Sequence, residues 1–148
     1  PLLSLCRKSG FTPRRTGFEK NGFMMDSRLA TGKFGEDMAA DFLEGKGFSI
    51  LARNWRSGHY ELDIVAIDEA GIHFVEVRTR INPEILPQET VNSPKQRKVV
   101  EAAKRFLKEE AYRKFSDFEA FFDVVGVTVA KDGTKLEYIP QAFIPMYK

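Results

Sequence analysis

A chain of 148 residues with 43% apolar and 30% charged side chains is long enough for one domain with its own hydrophobic core. Its formal charge of +2 gives no bulk argument for a polyanionic partner, and no apolar run is long enough to span a bilayer. The single cysteine, Cys6, excludes an internal disulfide framework and suits a reducing cytoplasm; with two histidines it builds no zinc cluster without carboxylate help.

Residues 1–27 read as a flexible basic leader. They carry Arg7, Lys8, Arg14, Arg15 and Lys20 among glycines and prolines, without a sustained period. A basic arm touching phosphate is the alternative. One domain is expected over 28–148. Thr31 is placed as a helix N-cap, and Phe34, Met38, Ala39, Phe42 and Leu43 follow at helical spacing. Gly45-Lys46-Gly47 ends that helix. Phe48 to Arg56 reads as a strand, turning at Ser57-Gly58.

Two further strands run from His59 to Ala66 and from Ile72 to Arg78, with a hairpin turn around Asp68-Glu69-Ala70-Gly71. Both carry acids. Strand alternation sends Glu61 and Asp63 to one side and Leu62 and Ile64 into a core; Glu76 and Arg78 likewise share a side. Carboxylates on strands otherwise this apolar need a reason, and oxygen ligation of a hard divalent cation is one. A metal-free cross-strand network of salt bridges is the other.

Asn82 to Pro94, with three prolines, is a loop long enough to border a site. Ser93-Pro94 then opens a second helix, with proline where its missing N–H costs nothing. Val99, Val100, Ala103, Phe106 and Leu107 form the buried stripe of that helix, and Lys95, Arg97, Lys98, Lys104, Arg105 and Lys108 occupy much of the rest. Strands follow from Ala120 to Val129 and, after an Asp132-Gly133 turn, from Leu136 to Ile139. The order α-β-β-β-α-β-β defines an α/β domain with a mixed sheet. Asp123 is expected to be a structural hydrogen-bond acceptor, and His59 and His73 to carry no role.

Gly35-Glu36, Arg53-Asn54-Trp55-Arg56, Glu61-Leu62-Asp63, Glu76-Val77-Arg78-Thr79-Arg80, Lys95-Gln96, Phe122-Asp123-Val124-Val125 and Ala142-Phe143 resemble, in order and spacing, the YraN-like family. This bacterial family of largely uncharacterised proteins is assigned to the PD-(D/E)XK superfamily. The resemblance covers about Ala30 to Phe143. It implies a restriction-endonuclease-like sheet flanked by helices, and hydrolysis of nucleic-acid phosphodiesters, DNA rather than RNA, with Mg2+ or Mn2+. It places the cation on Asp63, Glu76, Glu36 and Glu61, and nucleic-acid contacts at Lys95, Gln96, Lys98, Arg80 and Arg53. The carbonyl of Val77 would be a further ligand. By analogy with the superfamily, a homodimer would suit a small enzyme cutting two strands.

One residue departs from the superfamily pattern. Two positions after the strand acid, where lysine is common, stands Arg78. Arginine stays protonated and cannot act as a general base, but it can clamp a phosphate oxygen or stabilise a transition state. Lys95 could take part of the missing lysine's role. Three functions therefore stand side by side: a metal-dependent nuclease, a catalytically silent nucleic-acid-binding module on the same fold, and a protein-interaction adaptor whose acids are structural.

Overall fold

The computed structural model describes residues 27–81 and 93–145. The leader expected over 1–27, apart from Ser27, and most of the loop expected over 82–94 lie outside the described residues. The first helix, α1 (Ser27–Gly45), begins upstream of Thr31, which lies inside the helix and does not cap it. Arg28, Leu29 and Ala30 are good helix formers, and they carry the helix back beyond its amphipathic stripe. Its end follows the glycine signal. Gly47 takes φ 96, Phe48 N–H returns to the Leu43 carbonyl at 3.1 Å and Gly47 N–H to that of Glu44 at 3.0 Å.

Strands β1 (Ser49–Ser57), β2 (Tyr60–Ile67) and β3 (Ile72–Ile81) form an antiparallel meander. Helix α2 (Ser93–Lys108) and a short 3-10 turn at Arg113–Phe115 cross over to β4 (Ala120–Ala130), which pairs in parallel with β3, and β5 (Gly133–Ile139) returns antiparallel. Strand order is β1-β2-β3-β4-β5. This is the predicted sequence of elements, with β5 beginning at the turn glycine itself.

Among the described residues, each face of the sheet carries one helix. On one face Met38, Ala39 and Leu43 of α1 pack on Ile64, Ala66, Val75, Val125 and Val127. On the other, Ala102, Ala103 and Phe106 of α2 pack with Leu62, Val65, Ile72, Phe74 and Phe122, and Phe143 closes the cluster. Phe74 and Phe106 meet edge-to-face at 6.1 Å and are 1% and 0% exposed, so each contributes about 1.5–3 kcal/mol of burial. Among the described residues no helix is long and apolar enough to cross a membrane.

Helix α1 is seated by a glycine. A Cβ on Gly35 would fall 1.7 Å from Thr79 Oγ1 of β3, so only a bare backbone permits this approach. Gly35→Ala is expected to destabilise the domain by about 1–3 kcal/mol in urea unfolding, as overpacking does. Thr79→Ala removes the clashing oxygen and should recover part of the loss. An equal loss in both backgrounds would mean that this contact does not seat the helix.

Candidate active site

β2 and β3 separate at the carboxylates. Their ladder runs from Ile67 opposite Ile72 to Ile64 opposite Val75 and ends there. Pairing with β1 skips Asp63 as well, between Trp55–Leu62 and Arg53–Ile64. Across the gap, Asn54 takes φ 50, a left-handed conformation that its short amide side chain tolerates. The alternation expected along β2 fails at the same point. Leu62 packs on the α2 side and Ile64 on the α1 side, although the two have the same parity. Asp63 sits at this irregularity, and its Oδ2 accepts the Val77 N–H at 2.9 Å. A side chain thus takes over a main-chain donor at the point where the ladder stops.

Burial is the main reason that the Asp63 carboxyl is pushed up to about 6. The Val77 N–H opposes the shift, and the charges of Glu36, Glu76 and Glu61 add to it. A carboxyl with a raised folded-state pKa favours the native state when protonated. Its stabilisation is complete below the unfolded value of 3.8 and is lost as pH rises through about 6. Asp63→Asn keeps an acceptor for Val77 and drops the charge. Its melting temperature should therefore exceed wild type at pH 7–8, with the gap closing toward pH 4. A gap that is constant across this range would contradict the assignment.

Glu76 lies on the α2 side of β3 and is 6% exposed. Its Oε1 receives the Lys95 ammonium from the first turn of α2, and Arg78 Nε lies 3.9 Å from the same oxygen. Its Oε2 is buried without a hydrogen-bond partner among the described residues, a condition that costs about 1–3 kcal/mol. A cleft of about 530 Å³ opens over these groups. His59, Glu61, Asp63 and Glu76 line its sheet side, Lys95 and Lys98 its α2 side, and Leu62, Val77 and Val99 are its apolar lining. Acids face bases across one opening.

The expected site residues divide accordingly. Asp63, Glu76, Glu61, Lys95 and Lys98 share the cleft. Glu61 reaches outward, with Arg56 3.7 Å away. Glu36 on α1 acts on Asp63 through its charge but does not line the cleft, and neither do Arg78, Arg80 and Gln96. Arg53 is held by Asp37 of α1 at 2.5 Å, outside the cleft lining. Among the described residues, no three His, Cys, Asp or Glu side chains stand close enough together to hold an ion.

A second polar cluster went unread in the sequence. His73, expected to be idle, places Nδ1 2.6 Å from Asp123 Oδ2 and Nε2 2.9 Å from Asp68 Oδ1. Tyr138 OH donates to Asp123 Oδ2 at 2.7 Å, and the Gln141 N–H to Asp123 Oδ1 at 2.9 Å. Phe121 stacks on the imidazole at 4.7 Å and Phe48 meets it edge-on at 4.8 Å. Burial alone would lower the His73 pKa, but hydrogen bonds and charge from Asp123 and Asp68 outweigh it and raise it. Asp123 is the structural acceptor that the sequence suggested. The signal for its partner was a histidine inside the apolar run Ile72–Val75, where a lone imidazole would have to find partners.

The helix–strand order and five-stranded mixed sheet are those of a restriction-endonuclease-like fold. Within that class the chain belongs to the uncharacterised protein family UPF0102, the YraN-like family, whose profile matches residues 35–127. It is similar to UPF0102 proteins of Syntrophus aciditrophicus (38% identity over 122 residues, 82% of this chain and 94% of the relative) and Bacteroides thetaiotaomicron (40% over 117 residues, 77% and 92%). The UPF0102 protein of Syntrophotalea carbinolica is 40% identical over 121 residues, covering 81% and 96%. The matched segment begins at Gly35, which seats α1, and contains the whole cleft lining.

Proposed function

We propose that this protein is a metal-dependent nuclease that hydrolyses phosphodiester bonds in the cleft between β2, β3 and α2. The observation that carries the reading is Glu76: a carboxylate buried beside Asp63, one oxygen without a partner among the described residues, in a cleft whose other wall is cationic. The donor set suits Mg2+ or Mn2+, which take one or two carboxylates and fill the remaining positions with water and phosphate oxygen. Asp63 and Glu76 would hold the ion, with Glu61 and Glu36 adding negative field. When bound, such an ion polarises the phosphate and lowers the pKa of an attacking water.

The chain's own groups do the rest. Lys95 and Lys98 face the acids and are placed to receive phosphate oxygens. Arg78 stays charged and serves as a clamp, not as a base. DNA is the first polymer to test, and a homodimer would supply two clefts for two strands. A single cysteine fits a cytoplasmic setting. The second reading, a silent binding module, is favoured by one observation: Lys95 and Arg78 both converge on Glu76 Oε1, an arrangement that also satisfies a purely structural acid.

Calorimetric titration of Mn2+ into wild type and Glu76→Gln, followed by incubation with single-stranded, duplex and branched DNA, tests the reading. Binding and cleavage that are both lost in the variant support the nuclease. Salt-sensitive DNA binding without Mn2+ binding or cleavage moves the assignment to the binding module.

A further inference from the structure

Beyond the cleft, among the described residues, the sheet continues as a polar, partly exposed row. Resting on the reading of Asp63 and Glu76 as the reaction centre, we propose that Arg78 and Arg80 of β3, Gly126 and Thr128 of β4 and Lys135 of β5 form the track on which a nucleic-acid phosphate backbone lies as it leaves the cleft.

The register brings these residues together. Arg78 stands opposite Gly126 and Arg80 opposite Thr128, while on the far side Gly126 meets Glu137 and Thr128 meets Lys135. Directly paired residues share a face, and Arg78 approaches Glu76 Oε1, so the row lies on the α2 side of the sheet. Helix α2 rests on β1 and β2, and among the described residues the α2-side cluster reaches β3 at Phe74 and β4 at Phe122, with Val124 buried one pair further on. The track begins beyond Val124.

Gly126 is the telling residue. It sits inside β4, between two paired strands, where glycine costs roughly 0.5–1 kcal/mol against alanine. The fold does not require it. It is not among the positive-φ residues, and an added Cβ would meet nothing closer than the Glu137 carbonyl at 3.9 Å, an ordinary contact. Interior strand glycines of this kind mark places where another backbone comes close. The surrounding charges identify that backbone. Arg78, Arg80 and Lys135 outnumber the acid of the row, Glu137, and the row holds no aromatic ring on which a base could stack. Its contacts are therefore with phosphate, and sensitive to salt.

The test is fluorescence anisotropy of labelled DNA with Ca2+ present, beside Mn2+ calorimetry and thermal melting. Gly126→Leu should weaken DNA binding about tenfold or more while leaving Mn2+ affinity unchanged and the melting temperature unchanged or slightly raised, and Gly126→Ala should bind nearly as wild type. Arg80→Ala and Lys135→Ala should each lower the salt slope by about 1. DNA affinity unaltered in Gly126→Leu overturns the track. If that variant unfolds, unchanged salt slopes in the two alanine variants overturn it instead. Wild type that binds Mn2+ and cuts DNA, with all these variants unaffected, removes the track and leaves the nuclease standing. DNA binding that responds to these variants in a protein with no Mn2+ affinity does the reverse.

Discussion

Glu76→Gln is expected to reduce Mn2+-dependent DNA cleavage by roughly 10³-fold, the scale of the several kcal/mol that a catalytic cation supplies. Glutamine preserves the volume of a side chain that is only 6% exposed, so the strand and its packing have no reason to shift. What disappears is the charge. Lys95, with its side chain 52% exposed, loses this contact and can turn to water, whereas Arg78, at 16%, has less freedom. Circular dichroism and melting should stay close to wild type while the calorimetric Mn2+ signal vanishes. Asp63→Asn should lose cleavage to a similar degree and gain stability at neutral pH. A Glu76→Gln variant that cuts at the wild-type rate would place the chemistry outside the β2–β3 fork.

Asp123→Ala has the largest expected effect on stability. Asp123 is 1% exposed and accepts hydrogen bonds from Tyr138 OH and the Gln141 N–H, with His73 Nδ1 2.6 Å away. Removing it leaves the buried His73 imidazole, the Tyr138 hydroxyl and the Gln141 N–H without that acceptor. Breaking a buried pair in this way costs about 3–5 kcal/mol, which lowers the melting temperature of a domain this size by roughly 10 °C. Asp123→Asn, which keeps one oxygen acceptor in place and the side-chain volume, should lose less. Mn2+ binding should survive in both, because this cluster sits among Phe48 and Tyr138 on the α1 side of the sheet. The raised pKa of His73 fixes the sign of the pH effect. Its stabilisation is complete below the ordinary histidine value of about 6.5 and is lost as pH rises through its higher folded-state value. An Asp123→Ala protein that melts with wild type would show that the cluster contributes nothing.

Local patterns made most of the fold legible. Apolar spacing marked α1 and α2, glycines marked where α1 ends and β5 begins, and acids on apolar strands marked the cleft. What escaped depends on partners distant in sequence. Alternation could not reveal that β2 breaks its period at Asp63, because the cause is the Val77 amide on another strand. His73 looked idle since Asp123, which holds it, lies fifty residues away. Arg53, grouped with the nucleic-acid contacts by its motif, also pairs with Asp37 on α1, a partner sixteen residues away. Thr31 has the chemistry of a cap, but the good helix formers before it carry α1 further back.

The hydrogen bond from Val77 to Asp63 gives Asp63 and Glu76 different evolutionary meanings. Asp63 would be held in place by two separate demands, since even a relative that had abandoned chemistry would still need an acceptor at the end of the β2–β3 ladder. Asparagine would meet that demand, and a surviving aspartate there is no certificate of activity. Among the described residues Glu76 Oε2 meets no backbone donor. Under the proposed nuclease function, the residue at position 76 would therefore be the better marker of activity among relatives.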